Sequence, residues 1–271
     1  MCRWLAYSGP QVVLADLLTR PDHSLIDQSL HARENVATTN GDGFGVGWYG
    51  SDGAPAVYRD THPAWNDANL RTVAEHVASP IFLAHVRTAT GTPVQRTNCH
   101  PFRHGSWLFQ HNGSVPEFQR LKRRLVLGVD PDLYPHIEGS TDSETLFFLA
   151  LTHGLAEDPP SALARTIGMV ERAKVAEGID QPTFFSACAT NGDGLWAVRY
   201  SSQGQSRSLY HSKHIHALRA LHGSYEALAE GSVIVVSEPL DELTEHWQAV
   251  DESTLIHVKG GQVEASPFTP G

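Results

Sequence analysis

The sequence predicts an α+β fold with a largely antiparallel sheet. Three observations carry this: strand-like segments at both ends of the chain, helical segments paired in the middle, and a hairpin signal at Asn191-Gly192-Asp193-Gly194 between two apolar runs.

Taken in order, Trp4-Leu5-Ala6-Tyr7 reads as a short strand, followed by a helix over 11–18 that Pro21 ends. The turn Asn40-Gly41-Asp42-Gly43 leads into Phe44-Gly45-Val46-Gly47-Trp48, whose period of two predicts a strand with one packed face and one glycine face. Glycines so placed mark close approach by another backbone or a ligand. Leu70, Val73 and Val77 have helical spacing within 66–77, and the apolar run 81–86 is a buried strand ending in Arg87. A strand over 106–110 runs straight into His111-Asn112-Gly113, and a helix follows from Pro116 to about Leu125. In Ser140-Thr141-Asp142-Ser143-Glu144, Thr141 is a candidate N-cap with Glu144 three residues on, which predicts a helix through Leu146-Phe147-Phe148-Leu149. A second helix is predicted over 160–176, then strands over 183–190, 195–200, 232–237 and 254–259, the last turning through Gly260-Gly261.

At 271 residues the chain can bury a full core, and one domain spanning 2–271 is expected. A composition of 41% hydrophobic and 18% charged residues is that of a folded chain. No apolar run approaches the roughly 18 residues of a membrane span, and the N-terminus lacks the basic-then-apolar order of a signal peptide, so a cytoplasmic location is expected. A formal net charge of −10 argues against a nucleic-acid or anionic-membrane partner. Lys122-Arg123-Arg124, the one tight basic run, reads as a solvated helix face. Cys2, Cys99 and Cys188 are odd in number and far apart, which argues against a disulfide framework and leaves a thiol free for chemistry.

Cys2 is the residue with the most chemical content. Removal of the initiator methionine gives it a free α-amine beside its thiol. A thiol attacks as thiolate, and its ordinary pKa of about 8.5 leaves a few per cent ionised at neutral pH. An α-amine with a pKa of about 7.7–8.0 is a base able to raise that fraction, so one residue can supply nucleophile and general base. A frayed, inert terminus is the competing interpretation.

Met1-Cys2, Gly41-Asp42-Gly43-Phe44-Gly45, His85-Val86-Arg87-Thr88-Ala89-Thr90, Asn98-Cys99-His100-Pro101-Phe102, His111-Asn112-Gly113 and Ser140-Thr141-Asp142-Ser143-Glu144 occur in an order that resembles the class II glutamine amidotransferase (glutaminase) family. Ser237-Glu238-Pro239-Leu240 and the closing hairpin are similar to its small single-domain branch, which includes hydrolases of γ-glutamyl amides in ergothioneine biosynthesis. The resemblance implies an N-terminal nucleophile hydrolase fold, a four-layer αββα sandwich with largely antiparallel sheets and Cys2 at the start of a strand. It implies that Cys2 attacks the side-chain amide of glutamine or a γ-glutamyl amide, with Asn112 and Gly113 as oxyanion-hole donors. Arg87, with Thr90 nearby, then holds the substrate carboxylate, and Asp142 pairs with its α-ammonium. Thr88 is read as merely adjacent. No cofactor or metal is implied. Synthase-linked members carry a histidine where this chain has Gly91, which predicts a more open pocket. No isomerase, phosphoribosyltransferase or synthetase domain is recognisable, so ammonia transfer would need a separate partner enzyme, whereas simple hydrolysis needs none.

Without the resemblance, each residue has a plainer interpretation: Arg87 a surface ion pair, Asp142 a helix-capping residue, Asn112-Gly113 a hairpin turn. Three other classes compete. Sixteen histidines suggest metal binding, through Cys99, His100, His104 and His111 or through His214-Ile215-His216, although neither set has a usual zinc spacing. A non-catalytic or partner-activated binding module on the same fold would follow from loss of methionine processing. A different N-terminal cysteine hydrolase, acting on bile-salt or penicillin-type amides, is disfavoured by Asn112-Gly113 and Asp142.

Overall fold

Trp4, Leu5, Ala6 and Tyr7 are all buried, so the strand that carries them must be covered on both faces, and the architecture follows from that need. The computed structural model describes residues 2–33, 39–213 and 225–271. Its strands are β1 (Arg3–Val13), β2 (Phe44–Tyr49), β3 (Pro55–Asp60), β4 (Ala78–Val86), β5 (Phe102–His104), β6 (Trp107–Ser114), β7 (Phe184–Thr190), β8 (Leu195–Ser201), β9 (Tyr210–Ser212), β10 (Val233–Val236), β11 (Trp247–Ala249), β12 (Thr254–Lys259) and β13 (Gln262–Pro267). The helices are α1 (Ala15–Leu18), α2 (Leu25–His31), α3 (Ala68–His76), α4 (Phe118–Val126), α5 (Asp142–Thr152) and α6 (Pro159–Glu177).

Two sheets form, in strand order β11-β9-β10-β1-β4-β2-β3 and β13-β12-β8-β7-β6-β5. The described strand pairs are antiparallel, as in β1 with β4 and β6 with β7. Three apolar clusters fill the seams. Leu5, Tyr7, Phe82 and Val86 meet Leu17, Leu25, Leu70 and Ala74 of α1 to α3. Phe109, Phe185 and Val198 meet Leu121, Leu125, Phe147 and Ile167 of α4 to α6. Trp4, Ala6, Leu83, Leu108, Cys188 and Val235 fill the gap between the sheets. Helices, sheet, sheet and helices thus stack as αββα, the expected layering.

The structure departs from the sequence-based expectation in two respects. The helix expected over 11–18 shrinks to α1, because Val12 and Val13 complete β1 by pairing with Ser79 and Ala78 of β4. The register shifts between Ser8 and Val12, a bulge that accommodates Pro10 within a paired strand. Helix α2 and the short strands β3, β5, β9 and β11 carry little periodicity of their own and were not anticipated.

The glycine face of β2 has the cause foreseen for it. A Cβ on Gly45 would lie 2.1 Å from the His100 carbonyl oxygen, one on Gly43 would lie 2.7 Å from Cys99 Sγ, and one on Gly47 would lie 2.7 Å from the Pro101 ring. The 99–101 backbone therefore lies directly on β2, and this contact carries His100 into the site.

Candidate active site

Side-chain alternation places the site. On β1, Trp4 and Ala6 point between the sheets, and Cys2, just before the strand, continues the even-numbered series at its open end. On β6, Leu108 belongs to the same seam and Gln110 Nε2 donates to the Leu5 carbonyl at 3.0 Å, so Asn112, two residues on, lies on the face turned towards β1. Strand β4 ends one residue before Arg87, beside Arg3 of β1. Cys2, Arg87 and Asn112 therefore converge at one end of the sandwich.

A cavity of about 480 Å³ opens there, lined among others by Cys2, Arg87, Thr90, Gly113 and Asp142. Asn112 lies behind this lining, buried, with no side-chain hydrogen bond to a described residue. Of the three free thiols, Cys99 and Cys188 are buried and Cys2 is half-buried. Burial pushes Cys99 up to about 11 and Cys188 well above the ordinary range. Burial also raises Cys2, opposed by the Thr88 N–H and by the positive charges of Arg87 and Arg3. The Thr88 N–H donates to Cys2 Sγ at 3.4 Å, and the thiol lies 3.6 Å from the Thr88 carbonyl. Thr88, read from sequence as a bystander, is the residue whose backbone brackets the sulfur. No side-chain pattern announces such a contact.

Arg87 is 3% exposed, yet it meets only neutral oxygens: the Asp42 carbonyl at 3.2 Å, Thr92 Oγ1 at 2.7 Å and the Pro93 carbonyl at 3.3 Å. No carboxylate pairs with it among the described residues. A buried guanidinium without a counter-ion is costly, and the open cavity beside it is where an anion would offset that cost. The surface ion pair that Arg87 could have been is thus absent. Thr90 is exposed at the rim, and Gly91 next to it adopts a φ of 71° with nothing within 4 Å of a built Cβ, consistent with an open pocket.

Thr141 caps α5 by accepting from the Glu144 N–H at 3.1 Å. Glu144 does not return the bond to complete a capping box. Its oxygens accept from the Glu138 and Gly139 N–H groups at 2.9 and 2.7 Å, tying down the incoming loop. With the cap supplied by Thr141, Asp142 is free of that duty. It accepts from the Val115 N–H at 2.8 Å and the Ser143 N–H at 2.8 Å, has no cationic partner among the described residues, and faces the cavity. Asn112-Gly113 is not a turn but the end of β6, opposite Ser186 and Phe185. A Cβ on Gly113 would lie 2.0 Å from the Phe184 carbonyl oxygen, so only glycine fits.

The histidines disperse. His111 lies between Ser143 Oγ at 2.9 Å and the Phe184 carbonyl at 3.1 Å, His100 stacks on His85 at 4.2 Å, and His104 meets His136 edge-on at 4.9 Å. Burial holds His85 down at about 3 and keeps His100 neutral as well. Among the described residues no group of three or more His, Cys, Asp or Glu side chains is arranged to hold a metal ion. His214-Ile215-His216 lies outside the described residues.

One group of residues was not foreseen. Arg3 Nε donates to Glu238 Oε2 at 2.7 Å while its Nη1 donates to the Cys2 carbonyl at 3.0 Å. Glu238 also bonds His23 Nε2 at 2.5 Å and accepts from the Arg33 N–H at 2.8 Å. Burial pushes the Glu238 carboxyl up, but these hydrogen bonds and the Arg3 charge reverse the effect and hold it at about 2. Trp4 adds a clasp: its N–H donates to Ser237 Oγ at 2.9 Å and its carbonyl accepts from the Ser237 N–H at 3.0 Å. The Ser237-Glu238 pair, noticed in the sequence without a role, thereby fixes the strand that starts at the thiol.

Comparisons with known proteins identify the family. The family described as "Glutamine amidotransferases class-II" matches residues 15–270. The chain is 34% identical to "Probable glutamine amidotransferase DUG3" of Saccharomyces cerevisiae, covering 99% of this chain and 84% of the yeast protein. It is 30% identical to "Gamma-glutamyl-hercynylcysteine sulfoxide hydrolase" of Mycolicibacterium smegmatis, covering 99% and 100%. A solved structure, the "glutamine aminotransferase class-II domain protein" of Silicibacter pomeroyi, superposes with a TM-score of 0.75 at 33% identity, over 99% of this chain and all of that one. The glutamine phosphoribosylpyrophosphate amidotransferase of B. subtilis shares the fold, with a TM-score of 0.66 at 14% identity over 99% of this chain and 50% of that chain. By sequence and by fold, the chain belongs to the class II glutamine amidotransferases.

Proposed function

We propose that this protein hydrolyses the γ-glutamyl amide bond of glutamine or of a γ-glutamyl amide through a thioester on Cys2, as one catalytic domain spanning residues 2–271 and acting in the cytoplasm. Chief support comes from the cavity at the sheet ends, which brings the one thiol that is not buried together with a cation and an anion that have no counter-ion among the described residues.

Once Met1 is removed, the α-amine of Cys2 takes the thiol proton and Sγ attacks the amide carbon. The Asn112 side-chain NH2 and the Gly113 N–H are the donors for the oxyanion of the tetrahedral intermediate, each worth about 2.7–4 kcal/mol by analogy with other oxyanion holes. The α-ammonium passes its proton to the departing nitrogen, which leaves as ammonia or an amine while the carbonyl forms the thioester. Water, deprotonated by the same α-amine, attacks the thioester, and glutamate departs as the thiol is regenerated. Arg87, with Thr90 at the rim, holds the α-carboxylate and Asp142 the α-ammonium, which accounts for the lack of a counter-ion to either charge among the described residues.

The names of the relatives span amidotransferase and γ-glutamyl hydrolase. Free-standing hydrolysis is the simpler assignment, since it needs no ammonia acceptor. The test is glutamate release from glutamine and from a γ-glutamyl amide by a chain whose first residue is Cys2. Release from both, abolished by Cys2→Ala, is expected. A correctly processed chain that binds these compounds without turnover would instead be a binding module or await a partner.

A further inference from the structure

The cavity beside Cys2 is balanced for one zwitterion: of the charged residues lining it, Glu117 and Arg120 pair with each other at 2.6 Å, which leaves the positive charge of Arg87 and the negative charge of Asp142 to match an amino-acid head group. A further guanidinium nearby has no such use. Arg207, in the segment between β8 and β9, has its Cζ 4.4 Å from the centroid of the Phe184 ring. Its Nε is buried without a hydrogen-bond partner, and no carboxylate pairs with the group among the described residues. Burial and the neighbouring charge of Arg3 both disfavour its cation. Arg3 adds an unspent donor rather than charge, because its Nη2 is also buried without a hydrogen-bond partner while Glu238 pairs with its Nε.

This surplus stands at the Cys2 end of the molecule. Phe184 begins β7 opposite Ser114, and its carbonyl accepts from His111 Nε2 at 3.1 Å. Ser114 and His111 both line the Cys2 cavity, and Arg3 donates to the Cys2 carbonyl. Phe184 shares its face of β7 with Cys188, which lies between the sheets, so the ring under Arg207 sits on the face that also carries Asn112 on β6.

We infer that Arg207 is a specificity residue for the leaving amine: it takes a carboxylate carried by that amine, so the favoured substrates are γ-glutamyl amides of an amino acid or peptide rather than glutamine. This rests on the assignment of the Cys2 site proposed above. The charge count discriminates between the substrates. Glutamine brings one carboxylate and one ammonium, which Arg87 and Asp142 meet, whereas a γ-glutamyl amino acid brings a second carboxylate. A guanidinium held over an aromatic ring with unspent donors is suited to that group.

The experiment measures calorimetric Kd values for γ-glutamylglycine and for its C-terminal amide, using a Cys2→Ala chain so that neither ligand is consumed. The acid is expected to bind roughly tenfold or more tightly than the amide, the range of a charge-assisted hydrogen bond. In Cys2→Ala/Arg207→Gln the acid-to-amide ratio should fall to near one, and Arg207→Lys should restore part of it. The ratio is the readout because a folding defect weakens both ligands alike. Equal binding of acid and amide, binding of neither, or a preference that survives Arg207→Gln overturns the inference. Hydrolysis of glutamine and of γ-glutamylglycine by the processed, unsubstituted chain is measured beside it. If hydrolysis of glutamine or of γ-glutamylglycine by that chain is present and the ratio is flat, only the role of Arg207 falls; if neither compound is hydrolysed, the assignment of the Cys2 site falls.

Discussion

Arg87 shows how a single residue changes meaning between sequence and structure. At a strand end it could be any surface cation, but it is buried against three neutral oxygens with no counter-ion among the described residues, as the proposed carboxylate contact requires. Arg87→Ala should raise KM for glutamine by roughly 10- to 150-fold, the worth of a charged hydrogen bond, with kcat much less affected, as read from steady-state kinetics. An unchanged KM would remove the assigned contact. Asn112→Ala should act on the other parameter, lowering kcat by about 10²–10³ if its amide stabilises the oxyanion. A loss confined to KM would place Asn112 elsewhere in the reaction. Glu238 carries a pH prediction. Its carboxyl is lowered from an ordinary value of about 4.3 to about 2 in the folded chain. It therefore stabilises the fold fully above the ordinary value, and that contribution drains away as pH falls towards 2. Denaturant melts between pH 5 and 2.5 should show this loss, and Glu238→Gln should be less stable at pH 7 with a flatter acid limb. Parallel acid limbs in the two proteins would contradict it.

Among the elements, those with strong periodicity or a chemical boundary were legible in the sequence. The strands β4, β6, β7, β8 and β12 and the helices α3 to α6 all lie close to their expected places, because apolar spacing, Thr141 and the Asn191-Gly192 turn each signal locally. The elements that sequence missed depend on partners far along the chain. Strand β9 has three residues and exists because β10 and β11 flank it, and Val12 belongs to a strand only because β4 lies beside it. The site divides the same way. Ordered motifs single out Cys2, Arg87, Asn112, Gly113 and Asp142 as candidates, whereas the Thr88 backbone contact and the Arg3-Glu238-His23 network join residues up to 235 positions apart that no local pattern connects. Gly45 tests the packing that brings the His100 segment onto β2. Gly45→Ala places a Cβ 2.1 Å from a carbonyl oxygen, and such overpacking should cost about 1–3 kcal/mol by denaturant titration, with activity reduced as the 99–101 segment shifts. A neutral change would mean that this contact yields more readily than the geometry indicates.

At the scale of the whole molecule, the αββα layering exposes a cleft at the sheet ends, and β1 delivers the first residues of the chain to it. The layers are held by three apolar seams, while of the charged groups lining the cavity Glu117 and Arg120 pair with each other and Arg87 and Asp142 have no counter-ion among the described residues. Retention of Met1 leaves the Cys2 nitrogen in an amide bond, where it cannot serve as a base, so methionine removal is expected to switch the site on. The most direct measurement combines intact mass with glutamate release from glutamine and γ-glutamylglycine on the same preparation. Glutamate production that tracks the fraction of chains beginning at Cys2 is the predicted result. Glutamate release undiminished in chains that retain Met1, or none from chains that begin at Cys2, would contradict an N-terminal cysteine nucleophile acting on its own.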